Sequence, residues 1–242
     1  MHVVVNAAMS TDGKLSNRRR EQVRISGPDD FDRVDQLRAD SDAVMVGIGT
    51  VLADDPSLTV DDAARRRARD RRNETPNPTR IVADSNARIP TDARVLDDRA
   101  PTIVLASEAA PDERVTALST ADIDDVRADI DDVRAGIDDI RAGVDVIRAG
   151  VERVDLPSAL AELESRGIDR LMVEGGGELV FSLLADDLVD ELSVYVGAMV
   201  LGGRTAPTLV DGEGFTGPYP TLVLDGVERI DDGVLLRWRR DR

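Results

Sequence analysis

Short apolar runs alternate with amphipathic stretches along most of the chain. The runs rich in Val, Ile, Leu, Met and Ala, which are typical of buried strands, are residues 3–8, 43–46, 80–83, 102–106 and 171–173. Amphipathic stretches predict helices at residues 28–39, 157–166 and 178–185. Residues 191–196, 221–224 and 234–238 predict further strands, with no helix pattern between the last two. We therefore expect an α/β fold with a mixed, mostly parallel sheet flanked by helices and with antiparallel C-terminal strands.

One stretch of dense charge interrupts this alternation. Residues 61–77 contain the runs Arg65-Arg66-Arg67 and Arg69-Asp70-Arg71-Arg72. We expect a solvated, mobile loop there, because so many charges are costly to bury. The alternative is that its arginines help to bind a phosphate.

A seven-residue repeat covers residues 123–150. Ile or Val recurs in it at i, i+3 and i+7, the spacing of an apolar stripe on a helix. Gly136, Gly143 and Gly150 each disfavour a long helix by about 1 kcal/mol relative to alanine. The last copy, residues 144–150, alternates more like a strand. We expect a single domain of residues 1–242 with an insertion at about 122–143, which forms a short surface helix or a partner contact and has no catalytic role.

Composition limits the classes of protein that fit this pattern. Apolar residues make up 41% of the 242 residues and aromatic residues only 2%, so the core must be built from Val, Leu, Ile and Ala. No apolar run reaches the length of about 18 residues that a membrane span needs. Residues 1–6 lack the basic start and the cleavage site of a signal peptide, and we expect a cytoplasmic protein.

Two absences in the sequence exclude several kinds of chemistry. The chain has no cysteine, which excludes disulfides, thiolate zinc sites and a cysteine nucleophile. Its only histidine is His2, which argues against a zinc deaminase site and a Ser-His-Asp triad, and no metal is expected. The formal charge of −17 argues against nucleic acids and anionic membranes as partners.

The basic residues also have an unusual composition. Lys14 is the only lysine, and it follows the polar turn that ends the first predicted strand. An acidic chain with so few lysines indicates adaptation to high salt, where the repulsion between carboxylates is screened. The retention of one lysine indicates that a flexible ammonium group is needed at this position, unless chance preserved it.

A run of glycines joins a predicted strand to a predicted helix at residues 173–177. Glycines there allow backbone N–H groups to converge on a phosphate, and the helix N-terminus favours an anion. The alternative is a plain strand-to-helix turn. The motif is not the dinucleotide fingerprint Gly-x-Gly-x-x-Gly, because Val180 occupies the place of its last glycine. Glu174 precedes the glycines at the carboxyl end of the strand, a position that favours a contact with substrate over a plain surface position.

A second strand runs into glycines at residues 46–49. Thr50 follows them at the start of a short predicted helix, where its hydroxyl can bind a ligand or cap the helix. Asp54 lies one turn later on the same side as Thr50. The pattern Gly-x-Gly-Thr is weak alone, but together with the first glycine run it predicts two glycine-lined strand ends that face one cleft.

Taken together, these segments resemble one family, the riboflavin-pathway reductases that act on 2,5-diamino-6-ribosylaminopyrimidinone 5′-phosphate. This family includes the reductase half of the bacterial deaminase–reductase. The matching motifs follow one order along nearly the whole chain, at residues 8–14, 37–38, 47–59, 83–85, 88–90, 173–177, 188–191 and 201–203.

The resemblance implies a fold, a cofactor and a reaction. The fold is a dihydrofolate-reductase-like α/β fold, the hydride donor is NADPH with NADH as an alternative, and the protein is a homodimer. The reaction reduces the ribosylamino group at C1′ and opens the sugar to a ribitylamino chain. The family's positions assign the cofactor side to Thr50, Asp54, Ser85, Gly175, Gly176, Gly177 and Glu178. They assign the substrate side to Asn6, Lys14, Arg38, Leu58 and Glu174.

Two of these residues are the candidate catalytic groups. Lys14 and Glu174 are the side chains that could handle a proton, while the chemistry relies mainly on positioning the hydride. Arg38 and Lys14 suit the 5′-phosphate or the sugar hydroxyls. Arg24 departs from many bacterial relatives, which carry an aromatic residue at this position.

Two other interpretations stay open at this point. The first is a dihydrofolate-reductase-like enzyme that acts on another pteridine or pyrimidine. The second is a noncatalytic nucleotide-binding scaffold that recruits a partner through the seven-residue repeat. The missing deaminase residues favour the archaeal type of reductase, in which a separate enzyme performs the deamination.

Overall fold

One mixed sheet organises the described part of the chain, which is residues 1–120 and 144–241 of a computed structural model. Its strands are β1 (His2–Ser10), β2 (Ala43–Gly47), β3 (Thr79–Ala83), β4 (Thr102–Ala106), β5 (Val144–Arg148), β6 (Arg170–Gly175), β7 (Glu191–Gly197), β8 (Leu222–Ile230) and β9 (Gly233–Arg240). The helices are α1 (Pro28–Ala39), α2 (Ile48–Asp54), α3 (Ala63–Asp70), α4 (Asp112–Thr120), α5 (Leu156–Ser165) and α6 (Gly177–Ala185). Within these two ranges, none of the helices combines the length and the apolar character needed to cross a bilayer.

The strands lie in the order β5-β4-β3-β2-β6-β1-β7-β9-β8. All neighbours from β5 to β7 are parallel, whereas β9 is antiparallel to both β7 and β8. Parallel neighbours need crossover connections, and the helices supply most of them. The predicted fold class, an α/β fold with a mostly parallel sheet and antiparallel C-terminal strands, is confirmed.

Both faces of the parallel part of the sheet are buried. Because side chains alternate across a strand, Ala43 and Met45 pack on one face of β2, and Val44 and Val46 pack on the other. The first face lies against α5 and α6, and the second lies against α2 and the loop of residues 87–95. Burial on both faces explains why these strands appear in the sequence as continuous apolar runs.

The expectation of a solvated loop at residues 61–77 is wrong, because α3 lies within this range. The side chain of Asp62 caps its N-terminus by accepting hydrogen bonds from the N–H groups of Ala64 (2.6 Å) and Arg65 (2.9 Å). Arg69 is buried and donates to the carbonyl oxygens of Ala39 (2.9 Å) and Ser41 (2.7 Å) at the C-terminal end of α1. Its charge can be buried because helix-end carbonyls lack partners within their own helix and attract a cation.

The last copy of the seven-residue repeat forms a strand, as its alternation indicates. β5 pairs with β4 in parallel, from Thr102 opposite Val144 to Ala106 opposite Arg148. The earlier copies of the repeat, and with them the insertion expected at about residues 122–143, lie outside the described residues. Their surface-helix or partner role stays a prediction.

Replacing Arg69 by methionine should lower the free energy of unfolding by about 2–4 kcal/mol, because buried carbonyls at the end of α1 lose a charged donor. Urea denaturation followed by circular dichroism measures this loss. Arg67 lies on the same helix and is exposed, so Arg67→Met should change the stability by less than about 0.5 kcal/mol. Equal losses in the two variants would show that capping of α1 is not the reason.

Candidate active site

A cleft of about 1350 Å³ opens at the carboxyl ends of β1, β2, β3 and β6. These strands are parallel, so their carboxyl ends meet at one edge of the sheet, where α/β proteins place their ligands. The loops of residues 11–27 and 198–221 contribute the wall opposite the strand ends. The cofactor-side residues of the sequence prediction all line this cleft: Thr50, Asp54, Ser85, Gly175, Gly176, Gly177 and Glu178.

The two glycine runs are in contact with each other. Gly176 has φ +97°, and a Cβ built on it would lie 3.3 Å from both the N and the Cα atoms of Gly47. Gly175 also has a positive φ of +156°. Glycine is therefore required at Gly176 both by its backbone conformation and by the approach of the neighbouring turn. The two strand ends face one cleft, as their sequence pattern predicts.

The start of α6 suits an anion. Its N-cap residue is Gly176, which has no side chain to bond the free N–H groups of the first turn. These N–H groups and the helix dipole favour a phosphate at this end of the helix. Glu178 lies in the same turn with 68% of its side chain exposed, and its carboxylate is 3.9 Å from Arg153.

Thr50 and Asp54 occupy one wall of the cleft, on α2. The hydroxyl of Thr50 is 3.5 Å from the position that a Cβ would take on Gly175, so α2 and the glycine turn adjoin. Burial raises the pKa of the Asp54 carboxyl. A half-buried carboxyl group in a cleft of this kind is suited to contact with a bound polar ligand.

Ser85 is held rigidly at the end of β3. Its hydroxyl oxygen accepts a hydrogen bond from the N–H of Val154 (3.1 Å), which leaves its own proton available to donate. Its carbonyl oxygen accepts from the N–H (3.1 Å) and the hydroxyl (2.7 Å) of Ser107. The adjoining loop is closed by Asp84, whose buried carboxylate accepts from the N–H groups of Arg88 and Ile89.

Glu174 forms a bidentate ion pair with Arg38. The Nε atom of Arg38 is 2.5 Å from Oε1 of Glu174, and Nη2 is 2.7 Å from Oε2. The two side chains are only 21% and 12% exposed. Burial opposes the charge on Arg38, but the carboxylate of Glu174 outweighs it, and the pKa of the guanidinium is raised. Of the two residues, Glu174 lines the cleft, so the pair presents a fixed hydrogen-bond acceptor there.

The other substrate-side residues of the prediction do not line the cleft. Asn6 is buried and accepts from Nη2 of Arg33 at 2.9 Å. Leu58 is 2% exposed and packs in the core. Lys14 lies just outside the lining, although its neighbour Leu15 is part of it. Their assigned roles, like those of the cofactor side, stay predictions.

A hydrogen-bond network fixes the backbone at Lys14. The hydroxyl of Ser10 donates to Asp12 (2.6 Å) and accepts from the N–H of Lys14 (3.0 Å). The carboxylate of Asp12 also accepts from the N–H groups of Leu201 (3.0 Å) and Gly202 (2.7 Å). The Ser10 bond and then these backbone bonds lower the pKa of Asp12 to about 2.

Several arginines in the cleft were missed by the sequence analysis. They are Arg20, Arg24, Arg88, Arg153 and Arg204. They come from four separate loops. Arg24 and Arg88 belong to segments that the sequence analysis named, without a ligand role for their side chains, whereas Arg20, Arg153 and Arg204 belong to no motif. None of the arginines at positions 65–72 lines the cleft, which removes the support for a phosphate role there. Within the described residues, no group of His, Asp and Glu is arranged to hold a metal ion.

Comparison with known proteins agrees with the motifs. A family model described as the RibD C-terminal domain matches residues 1–236. The chain belongs to this family. It is 43% identical over 242 residues to the 2,5-diamino-6-ribosylamino-4(3H)-pyrimidinone 5′-phosphate reductase of Archaeoglobus fulgidus, covering 100% of this chain and 99% of that protein. It is 45% identical over 216 residues to the reductase of the same name from Methanothermobacter thermautotrophicus, covering 88% of this chain and 85% of that protein.

The fold of the RibD C-terminal family also recurs in a solved structure. The pyrimidine reductase-like protein of Corynebacterium diphtheriae superposes with a TM-score of 0.79 at 17% identity, covering 100% of this chain and 92% of that one. At this identity the likeness concerns the fold alone. The resemblance inferred from the sequence motifs is confirmed by the family match.

The stability of the protein at acid pH should depend on Asp12. Its folded-state pKa of about 2 lies below the ordinary value of 3.8, so its carboxylate stabilises the fold above about pH 4 and this contribution is lost as the pH falls through about 2. Asp12→Asn should therefore lower the Tm at neutral pH, and the difference from the wild type should shrink between about pH 4 and pH 2. Scanning calorimetry measures it, with the exposed Asp92→Asn as control. A difference that does not vary with pH would contradict this account.

Proposed function

We propose that this protein reduces 2,5-diamino-6-ribosylamino-4(3H)-pyrimidinone 5′-phosphate to its ribitylamino product in riboflavin biosynthesis. The observation that carries the proposal is the 43% identity to the Archaeoglobus reductase over 242 residues and 99% of that protein's length. The cleft supports it, because the two glycine turns, Thr50, Asp54, Ser85 and Glu174 come together there from three separate segments, at residues 47–54, 85 and 174–177. The reaction breaks the bond from C1′ to the ring oxygen, adds a hydride to C1′ and adds a proton to that oxygen.

A nicotinamide dinucleotide fits the observed geometry as the hydride donor. Its pyrophosphate would lie at the N-terminus of α6, where Gly176 leaves space and no side chain caps the free N–H groups. Thr50 and Asp54 would contact the ribose and phosphate groups from α2. When bound, the cofactor supplies the hydride, and the protein supplies its orientation.

We infer that the cofactor is NADPH rather than NADH. The additional phosphate of NADPH is on the adenosine ribose, and the cleft end formed by Ser85 can receive it. Arg88 and Arg153 line this end, and the bond from Val154 N–H to Ser85 joins their two loops. The two side chains are 49% and 77% exposed, and each forms only a long ion pair, Arg88 with Asp84 at 3.5 Å and Arg153 with Glu178 at 3.9 Å. Two arginines and a serine hydroxyl form a suitable phosphate site.

Substrate would occupy the other end of the cleft, beside Glu174. Since both oxygens of Glu174 are held by Arg38, the carboxylate is suited to accept hydrogen bonds from an amino or hydroxyl group of the substrate. Arg38 would then act through Glu174. Arg20, Arg24 and Arg204 line the cleft from the two loops of the opposite wall and would bind the 5′-phosphate. Lys14 adjoins this wall and is our candidate for handling the proton.

Loss of NADPH absorbance on addition of the ribosylamino substrate tests the function. We expect turnover in a buffer of high salt, since the charge of −17 indicates adaptation to such a medium. Light scattering on the same preparation should give twice the mass of one chain, because we propose a homodimer on the family resemblance. Oxidation of NADPH with dihydrofolate and not with the ribosylamino substrate would reject the proposal, and so would NADPH binding without turnover of either compound.

Replacing Arg88 by alanine should reduce the preference for NADPH. The ratio of kcat/KM for NADPH to that for NADH should fall about tenfold, because a charged contact with the ribose phosphate is lost while NADH never makes it. Calorimetric titration with 2′,5′-ADP gives a readout without turnover, and its affinity should fall in parallel. The matched control is Arg71→Ala, an exposed arginine outside the cleft. Equal losses with NADPH and NADH would place Arg88 elsewhere in the mechanism.

A further inference from the structure

Besides the bonds from Leu201 and Gly202 to Asp12, the β7–β8 loop, residues 198–221, contacts the site at two further places. At the first, the N–H of Leu15 donates to the carbonyl of Pro207 at 3.0 Å, and Lys14 pairs with Thr208 in a short antiparallel bridge. At the second, the N–H of Asp211 donates to the carbonyl of Gly177 at 3.2 Å. The loop thus joins the Lys14 segment to the glycine turn, which belong to distant parts of the chain.

The side chain of Asp211 fixes the separation of these two contacts. Its Oδ1 atom accepts hydrogen bonds from the hydroxyl (2.6 Å) and the N–H (3.3 Å) of Thr208. These bonds close a turn whose middle residues, Leu209 and Val210, pack against the core. The loop cannot lengthen or swing between Thr208 and Asp211 without breaking them.

The third glycine of the glycine turn is explained by the same side chain. A Cβ on Gly177 would lie 2.6 Å from Oδ2 of Asp211 and 2.8 Å from the carbonyl oxygen of Thr208. Its φ is not in the left-handed region, unlike those of Gly175 and Gly176. A side chain at Gly177 would therefore collide with the loop, and the N–H of Asp211 is hydrogen-bonded directly to the glycine turn at Gly177.

We propose that Asp211 is a positioning residue that sets the distance between the Lys14 segment and the glycine turn. The link itself is independent of the ligands, and only its catalytic consequence rests on the proposed function. In that function Lys14 lies on the substrate side and the glycine turn on the cofactor side. Asp211 therefore sets the distance between the carbon that receives the hydride and the cofactor that supplies it.

Kinetics of Asp211→Ala and Asp211→Asn test the proposal. For Asp211→Ala, kcat/KM for the ribosylamino substrate should fall roughly ten- to hundredfold, because small displacements of reacting groups are costly. NADPH affinity, measured by its fluorescence without substrate, should change less than about twofold, because the glycine turn is built by β6 and α6 and lies against β2. Asp211→Asn keeps the Oδ1 acceptor and should retain most of the activity. Glu213→Ala, which removes an exposed carboxylate from the same loop, should match the wild type.

Coupling to Thr208 separates positioning from a general loss of stability. Thr208→Val removes the hydroxyl that bonds Asp211, so it should lower kcat/KM by a similar factor. The double variant of Asp211→Ala and Thr208→Val should have about the same kcat/KM as either single variant, because both substitutions break the same hydrogen bond. Multiplied losses in the double variant, or an Asn variant as impaired as the Ala variant, would overturn the proposal.

Amide hydrogen exchange reports on the link without turnover. The N–H of Leu15 should exchange faster in Asp211→Ala than in the wild type or in Glu213→Ala. The reason is that its acceptor, the carbonyl group of Pro207, is no longer held in place by the turn that Asp211 closes. If the wild type shows no turnover but this difference is found, the proposed function is wrong and the link stands. If the wild type turns over and both the exchange and the kinetics of Asp211→Ala are unchanged, the positioning role is wrong. Should Asp211→Ala fail to fold, Thr208→Val and Asp211→Asn decide between the same outcomes.

Discussion

The cleft depends on a close contact between two backbones, at Gly47 and Gly176. β2 and β6 are neighbours in the sheet, yet the helices that follow them pack on opposite faces: Ile48 and Val51 of α2 belong to one core layer, and Leu179 and Leu183 of α6 belong to the other. Where the chain departs in opposite directions from adjacent strands, a crevice opens between the helices. The constraint falls on Gly176, where a Cβ would lie 3.3 Å from the backbone of Gly47, whereas a Cβ on Gly47 would make ordinary van der Waals contacts.

In this acidic chain, arginine rather than lysine supplies the hydrogen bonds to buried carbonyl and carboxylate groups. Arg69 bonds the end of α1, Arg80 bonds carbonyls and Asp97 from within β3, and Arg38 holds Glu174. Each of these guanidinium groups reaches several acceptors at once, because its donors lie in a rigid planar fork. A lysine could satisfy fewer acceptors from one position, so the arginine content of the sequence reflects internal architecture as well as surface charge.

The sequence was a good guide to elements that are set by local patterns, and a poor one to contacts between distant residues. The runs of β2 and β4 and the Pro28 start of α1 predicted their elements closely, because burial on both faces and the conformation of proline leave direct marks in a sequence. α3 was missed because Arg65 and Arg69 find hydrogen-bond partners on α1, at Asp35 and Ala39, rather than in water. No local pattern reveals where such partners lie.

The candidate site divides in the same way. The glycine turns, Thr50 and Asp54 could be placed because the backbone requirements of a strand-to-helix turn restrict the residues there. Ser85 was assigned by the family resemblance alone. The pairing of Arg38 with Glu174 joins residues separated by 136 positions and depends on how α1 packs against β6. No sequence pattern around Asp211 indicates its role either, because that role depends on the packing of a long loop against Gly177.

The ion pair between Arg38 and Glu174 should respond to salt differently from the exposed ion pairs of this acidic chain. In concentrated salt the Debye length falls to about 3 Å at 1 M, so attraction between exposed charges is largely cancelled. Pairs such as Arg237 with Glu228, which are 45% and 51% exposed, lose most of their strength there. Arg38 and Glu174 are 21% and 12% exposed, and they touch without intervening solvent. The geometry of the cleft at Glu174 is therefore less sensitive to ionic strength than the exposed surface around it.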